Sequence, residues 1–219
     1  MAKKPLNTYL KELEKIPTAS LSDALDKKGI KGYLSHEIKP IFDTKRIVGP
    51  AVTIKDTLTK EILTPFLALE AIDEAKPGDI IVRTIENGDA RDIALWGGLM
   101  SLAARNKGVR GVVLDGGVRD VLEAKAMAFP VFAKSVTPVT SVGRTKVLEY
   151  NSPITIDGVT INPGDIVVGD SDGVVVIPIG LVEDVIALAK EIDSLEKKES
   201  EELKKGKSMV EVIKKYARV

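Results

Sequence analysis

The sequence predicts an α/β fold with strands inside and helices outside, and two observations carry that prediction. Between residues 80 and 134, short apolar runs alternate with stretches of helical periodicity. That is the pattern of βαβ units whose parallel strands are buried on both faces. Residues 145–178 instead break into short β segments at Asn151-Ser152-Pro153, Asp157-Gly158, Asn162-Pro163-Gly164 and Asp172-Gly173, turns of the kind that join antiparallel strands. Neither a low-complexity linker nor an internal repeat divides the 219 residues, a length that supports one sizeable core or two small ones. The chain, 1–219, is therefore read as one compact domain, with helical segments over about 1–30 and 180–219.

Each element follows from local pattern. Residues 6–16 carry apolar side chains at helical spacing up to Pro17, and 18–23 offer several N-caps for a second helix that stops at Gly29. Residues 47–55 read as a strand, 65–75 as a helix, Pro77-Gly78-Asp79 as a turn and 80–85 as a strand. A helix over 93–107 includes Gly97-Gly98; a short strand over 111–115 precedes a helix over 118–128 and a strand over 131–134. From Gly180 the chain is helical. Leu181, Val185, Leu188, Ile192 and Leu195 alternate four and three apart, which suits a helix covering the sheet and equally a seam with another subunit. Residues 197–207 are nearly all charged, as at a solvated helix end, and Ser208 with Glu211 makes a capping box for a short last helix.

Composition excludes several functions. Lys plus Arg and Asp plus Glu stand at 32 each, so no net charge draws the chain toward nucleic acid or an acidic membrane, and direct nucleic-acid binding is not expected. The absence of cysteine removes disulfides, thiolate catalysis and cysteine-ligated zinc. His36 is the single histidine, so one chain cannot build a two-histidine metal site, and its place between Ser35 and Glu37 marks it as a surface residue. No apolar stretch follows Met-Ala-Lys-Lys-Pro and no run is long enough to span a bilayer, which predicts a cytoplasmic protein without membrane association. The phosphate loop, the dinucleotide fingerprint and the serine nucleophile elbow are all absent.

The main chemical signal is Gly116-Gly117-Val118-Arg119-Asp120, where an apolar strand ending at Asp115 turns toward a helix. Ligands collect at the carboxyl ends of strands in open α/β folds, and free amides at a helix start favour an anion. An arginine fork matches a carboxylate, and aspartate offers hard oxygen to Mg²⁺ or Mn²⁺. Arg119 and Asp120 thus suit a small acid bound together with a metal; a dipole-complementing Asp120 beside a surface Arg119 fits the same spacing. A second candidate is Trp96-Gly97-Gly98-Leu99-Met100. Two glycines are costly inside a helix but at its first turn would let a ligand approach bare amides, although close helix packing would also use them. The third, Asn87-Gly88-Asp89-Ala90-Arg91-Asp92, is either a carboxylate-rich site loop or a solvated one. Gly169-Asp170-Ser171-Asp172-Gly173 lacks the later ligands and closing glutamate of a calcium loop and reads as a tight turn between strands.

Taken in order, a set of short segments resembles the RraA-like family, which holds the regulators of ribonuclease activity A and the 4-hydroxy-4-methyl-2-oxoglutarate aldolases. The segments are Ser22-Asp23-Ala24-Leu25, Gly49-Pro50-Ala51-Val52-Thr53, Pro77-Gly78-Asp79, Trp96-Gly97-Gly98-Leu99-Met100, the run from Gly111 to Asp120, Pro163-Gly164-Asp165, and the run from Gly169 to Pro178. The resemblance implies a swivelling β/β/α or barrel-like core and homo-trimers, sometimes paired into hexamers, with sites at subunit interfaces. For the aldolase branch it implies a class II, divalent-metal-dependent lyase that cleaves 4-hydroxy-2-oxo acids such as 4-hydroxy-4-methyl-2-oxoglutarate to pyruvate, with oxaloacetate decarboxylation as a related activity. It implies Asp120 as the direct ligand of Mg²⁺ or Mn²⁺ and Arg119 on the pyruvyl end of the keto-acid substrate. The amides of Gly97, Gly98, Leu99 and Met100 would hold the carboxylate, with Asp89 and Asp115 behind the metal's own ligands. Some family aldolases also take an acidic residue from the neighbouring subunit's C-terminal region; the tail from Lys190 onward departs from that pattern.

That division of labour makes chemical sense. Cleaving a C–C bond beside a pyruvyl group leaves an enolate, for which a chelated divalent cation acts as electron sink. Arg119 adds positive charge where negative charge develops, and a base, such as a metal-associated water, takes the 4-hydroxyl proton. Two rivals remain. A Schiff-base aldolase would use Lys55 or Lys134, each of which follows an apolar run and equally suits a strand-end lysine reaching water. Family regulators instead bind and inhibit ribonuclease E without catalysis while keeping the Arg-Asp pair, so a ribonuclease partner is the alternative function. A methyltransferase label also attached to the family finds no glycine-rich loop here to hold S-adenosylmethionine.

Overall fold

The apolar runs become the strands of one mixed sheet. In the computed structural model, which describes residues 4–216, the chain begins with helices α1 (Leu6–Leu13) and α2 (Thr18–Lys27). There follow β1 (Lys39–Pro40), β2 (Ile47–Leu58), α3 (Phe66–Glu74), β3 (Ile80–Glu86), β4 (Ala94–Trp96), α4 (Gly98–Asn106), β5 (Gly111–Val118), α5 (Val121–Ala126) and β6 (Val131–Val136). The second half holds β7 (Thr145–Tyr150), β8 (Ile154–Ile156), β9 (Val159–Ile161), β10 (Ile166–Asp170), β11 (Gly173–Ile177), a 3-10 turn (Ile179–Leu181), α6 (Val182–Lys204) and α7 (Met209–Tyr216). Residues 1–3 and 217–219, the extreme ends of the expected helical segments, lie outside the described residues.

The sheet runs β1-β6-β5-β3-β2-β10-β11, with β4 beside β5 and β7 beside β2. Pairing is parallel among β2, β3, β5 and β6 and between β4 and β5. It is antiparallel where β7 and β10 join β2 and where β10 meets β11. The switch falls where the turn chemistry changes, as the sequence predicts. The two ends of the sheet, β1 and β11, pack against each other, so the sheet curls around a barrel-like core. Val82, Val113, Phe132, Val167 and Val176 point into that core beneath the β8–β9 hairpin. Outside it, α3, α4 and α5 cover one layer through Ala68, Ala71, Ile72, Ala104 and Ala124. Helices α1, α2 and α6 cover the β10–β11 side through Leu13, Leu21, Leu25, Val185 and Ile192. The fold class is therefore the expected one: α/β, barrel-like, with helices outside. Among the described residues no helix is long and apolar enough to cross a membrane.

Two expected boundaries are corrected, and both lie at the glycine pairs. Residues 93–107 are not one helix. Ala94, Leu95 and Trp96 are fully buried in β4, and α4 starts only after Gly97, because consecutive glycines resist helix propagation but tolerate its start. The Trp96 indole stacks on Phe129 with centroids 6.4 Å apart and donates to Ser101 Oγ at 2.9 Å, which locks the strand-to-helix corner. Likewise Gly116 and Gly117 belong to β5, which runs on to Val118, and α5 begins at Val121 rather than 118. A Cβ on Gly116 would lie 2.8 Å from the Ala90 Cβ, and one on Gly117 would lie 2.9 Å from the Ile93 carbonyl. These glycines serve close packing of the 90–93 loop on the strand.

Smaller outcomes follow the same logic. Pro17, not a side chain from 18–23, precedes the first turn of α2, and the cap comes from a distant residue. Asp170 accepts from the Thr18 amide at 3.1 Å and from its hydroxyl at 2.6 Å. Gly169 to Gly173 is the β10–β11 hairpin, with Gly173 at φ +144°. The C-terminal stripe covers the sheet as far as Ile192, whereas Leu195 is exposed. Gly49 shows how tightly the core is set: a Cβ there would lie 2.1 Å from the Gly78 carbonyl oxygen. Because the obstacle is backbone, Gly49→Ala should destabilise the protein by roughly 1–3 kcal/mol; an unchanged urea midpoint would contradict this.

Candidate functional site

The corners after β4 and β5 lie side by side and form one cleft of about 390 Å³. Strand β5 hands over to α5 through Arg119 and Asp120. The Arg119 amide donates to the Trp96 carbonyl at 3.0 Å, tying this turn to the end of β4. Asp120 sits in the left-handed region at φ +57° and precedes α5 as its cap position, a conformation that aspartate tolerates better than most residues. Its Oδ2 accepts from the Gly98 amide at 2.9 Å and lies 3.5 Å from Arg119 Nε. The carboxylate of one corner thus rests on the helix start of the other, where it complements the positive end of α4.

The glycine pair has a spatial reason. A Cβ on Gly97 would lie 2.8 Å from Asp120 Oδ2, and one on Gly98 would lie 1.9 Å from Glu123 Oε2. Gly97 and Gly98 leave room for the two carboxylates, one of which, Asp120, takes up the Gly98 amide. Met100 and Leu99 continue that turn, with the Leu99 side chain outside in solvent. The structure therefore brings together Gly97, Gly98, Leu99, Met100, Arg119 and Asp120, all of which line the cleft. Arg119 and Asp120 are about half-exposed and accessible to a ligand.

Asp89 and Asp115 are elsewhere. Asp89 lies in the exposed loop after β3, where its carboxylate accepts from the Arg91 amide at 2.9 Å and faces the Arg91 guanidinium at 3.7 Å. Asp115 points from β5 into the opposite layer, accepts from Thr84 Oγ1 at 2.7 Å and pairs with Lys134. The reason is strand alternation: one residue along a strand flips the side chain to the other face. His36 is exposed, as expected.

The two lysines that a Schiff-base mechanism would need are held as ammonium ions. Burial pulls Lys134 down, but its pair with Asp115 and the charges of Asp157 and Glu37 outweigh that, leaving it above the usual 10.5. Lys55 is raised by its hydrogen bond to Glu149 at 2.7 Å. A Schiff-base lysine needs the opposite shift. Borohydride with pyruvate is therefore expected to leave the intact mass unchanged, and an adduct on either lysine would overturn this. The sign also fixes a pH dependence. The folded value of Lys134 lies above 10.5, so its contribution is complete below that pH and is lost as pH rises through the folded value. Lys134→Met should remove that alkaline component from the unfolding curve.

Sequence reasoning missed two features. Glu123 follows Asp120 by three residues on the same helical face, a spacing that was available to find it. Arg83 and Asp56 were hidden in apolar strands. Both are wholly buried, and Arg83 Nε and Nη2 meet Asp56 Oδ2 and Oδ1 at 2.7 Å each. The third guanidinium nitrogen, Nη1, donates to the Leu95 carbonyl, so the pair fixes β4 immediately before Gly97. A lone Arg within Ile-Ile-Val-Arg-Thr-Ile demanded a buried partner, although its identity was not readable.

A family model described as Aldolase/RraA matches residues 18–176. The chain belongs to the RraA-like family. A relative from Halalkalibacterium halodurans, provisionally named a 4-hydroxy-4-methyl-2-oxoglutarate aldolase, is 38% identical over 182 residues, covering 83% of this chain and 82% of its own length. Among solved structures, an uncharacterized protein from Pseudomonas syringae pv. tomato superposes with a TM-score of 0.84 at 31% identity, covering 96% of this chain and 99% of that one. RraAS2 of Streptomyces coelicolor, described as an unusual member of a family of ribonuclease ES inhibitors, gives 0.80 at 25% identity, covering 89% and 97%.

The donor set of the RraA-like cleft bears on a metal. Among the described residues no group of three His, Asp or Glu side chains converges as a cage, which disfavours zinc or a calcium site. Asp120 and Glu123 line the cleft together. One or two carboxylates, with water and ligand completing the shell, is the donor set that Mg²⁺ or Mn²⁺ uses. The residues fit such a cation.

Proposed function

We propose that this chain is a divalent-cation-dependent carbon–carbon lyase that releases pyruvate from 4-hydroxy-2-oxo acids. The observation that carries the reading is the meeting of Arg119, Asp120 and the Gly97–Gly98 helix start in one cleft. The relatives provisionally named as aldolases support the same chemistry.

Each residue then has a task. The Leu99 and Met100 amides in the first turn of α4 donate to the substrate carboxylate, as helix N-termini do for anions. Arg119 offers a planar fork to the pyruvyl oxygens and stabilises the negative charge that grows there. Asp120, held by the Gly98 amide, and Glu123 behind it would hold Mg²⁺ or Mn²⁺. That cation, when bound, would supply positive charge to the 2-oxo acid. In the cleavage itself the 4-hydroxyl loses its proton, C4 becomes a carbonyl, the C3–C4 bond breaks, and its electron pair passes to C3, which is then protonated. Loss of CO₂ from oxaloacetate delivers an electron pair to the same carbon, so the site suits that reaction as well.

Leu99 and Leu102 on α4 and Leu122 on α5 are exposed beside the cleft, as is Val136 at the end of β6, apolar surface that a second copy of the chain would cover. We read it as the trimer contact, which sedimentation of the purified protein tests. The likeness to RraAS2 favours a second reading, a regulator that binds a ribonuclease. Turnover separates the two. Pyruvate release from a panel of 4-hydroxy-2-oxo acids and oxaloacetate, dependent on Mg²⁺ or Mn²⁺, is the expected result. No release across the panel, with tight binding to an RNA-degradation enzyme, would establish the regulator instead.

A further inference from the structure

Lys134 is a nearly buried lysine that the proposed reaction does not use, and it stands where the pairing of β5 with β6 breaks. Up to Leu114, opposite Ala133, the two strands keep one register; from Gly117, opposite Ser135, they keep another. Asp115 and Gly116 therefore both stand against the single residue Lys134. That is a β-bulge, one extra residue on β5, and a bulge bends its strand and leaves a residue out of the ladder. Within four residues of the bend the chain reaches Arg119 and Asp120.

The two sides of the bend are held differently. Downstream, backbone bonds carry the load: the Gly117 amide donates to the carbonyls of Ala90 at 2.8 Å and Ile93 at 3.0 Å, and the Arg119 amide donates to that of Trp96 at 3.0 Å. Upstream, the register of β5 with β3 also stops at Leu114, and at Asp115 side chains take over from the ladders. Asp115 Oδ2 accepts from Thr84 Oγ1 of β3 at 2.7 Å, and Asp115 Oδ1 pairs with Lys134 Nζ of β6. The same ammonium lies 3.8 Å from Asp157 Oδ1 in the β8–β9 turn. The side chains of Lys134 and Asp115 are only 11% and 12% exposed, so water replaces neither partner, and loss of one strands the other's charge at the bend. We infer that Lys134 is a positioning residue: through Asp115 it holds the β5 bulge that sets where Arg119 and Asp120 project. The inference rests on the lyase reading and adds a residue to it, from contacts made within one chain.

Two readouts on the full-length protein test it. In amide NMR spectra without ligand, Gly98 and Arg119 report placement directly, because their amides donate to Asp120 Oδ2 and to the Trp96 carbonyl. The second readout is Mg²⁺-dependent exchange of the pyruvate methyl protons with D₂O, the reverse of protonation at C3. Lys134→Met should shift both amides and slow exchange about 10²-fold, the cost of displacing reacting groups by about 1 Å. Lys134→Met combined with Asp115→Asn strands no charge. It should recover most of the lost stability yet stay slow, because no ion pair bridges β5 and β6 at the bend. Arg46→Met, which breaks the Arg46–Asp170 pair on the β10–β11 side, should lower stability without moving either amide or the exchange rate. Unshifted amides with wild-type exchange in Lys134→Met would overturn the inference and leave the lyase reading standing. So would exchange that returns to the wild-type rate in the double variant as its stability returns. Absence of exchange with the wild-type protein would remove the lyase reading and this inference together.

Discussion

Asp120→Ala should reduce cation-dependent pyruvate release by about 10³-fold or more, since it removes the carboxylate placed to hold the cation and an interaction that matters most in the transition state. The fold should survive. Asp120 Oδ2 makes one hydrogen bond to the Gly98 amide, and a lost helix-end contact of that kind costs about 1 kcal/mol. The left-handed backbone at φ +57° adds some strain for alanine, so Asp120→Asn is the control. Asparagine tolerates that conformation and still accepts from the Gly98 amide, yet it carries no charge for a cation. Both variants should therefore lose activity to a similar degree while differing modestly in stability. Full turnover in Asp120→Asn would remove Asp120 from the chemistry. Arg119→Lys separates charge from geometry in the same cleft: lysine keeps the charge and loses the planar fork, so binding and turnover should both fall.

The largest effect on stability is expected at Arg83 and Asp56. Both side chains are wholly buried and joined through two bonds of 2.7 Å. Removing one partner strands a charge in the interior, which costs about 3–5 kcal/mol. That is a large part of the roughly 5–15 kcal/mol by which a domain is stable. Asp56→Ala and Arg83→Met should each lower the urea midpoint accordingly, while the double substitution should cost clearly less than the sum, because no unpaired charge remains. Arg83 also donates to the Leu95 carbonyl, so Arg83→Met, refolded or stabilised by low temperature, should bind pyruvate more weakly as β4 loosens ahead of Gly97. Single variants within about 1 kcal/mol of wild type would contradict a dry, strongly coupled pair.

The fold was readable where physics is local. Alternating apolar runs set the parallel strands, and turn residues at Asp157-Gly158 and Asp172-Gly173 set the hairpins. Reading failed where a glycine had two uses. Gly97 and Gly98 follow a buried strand and admit Asp120 and Glu123 respectively, whereas Gly116 and Gly117 lie inside a strand beneath the 90–93 loop. Pattern alone cannot distinguish a glycine that bares a backbone from one that makes room for a neighbour. For the site, Arg119, Asp120 and the Gly97–Gly98 segment were legible because adjacent charges and paired glycines are locally odd. Asp89 and Asp115 looked equally acidic, but strand alternation and an exposed loop send them away from the cleft. Partners brought from far along the chain, such as Asp170 at the start of α2 and Asp56 beside Arg83, required the tertiary fold.

The most direct test of the cleft as a pyruvyl-processing site is exchange of the pyruvate methyl protons with D₂O, followed by proton NMR. Reversal of the cleavage requires those protons to leave, whatever tail the natural substrate carries. The account predicts exchange catalysed by the wild-type protein with Mg²⁺ or Mn²⁺, suppressed by chelator and by Asp120→Asn. Exchange no faster than in buffer with either cation, or equal exchange in Asp120→Asn, would contradict it.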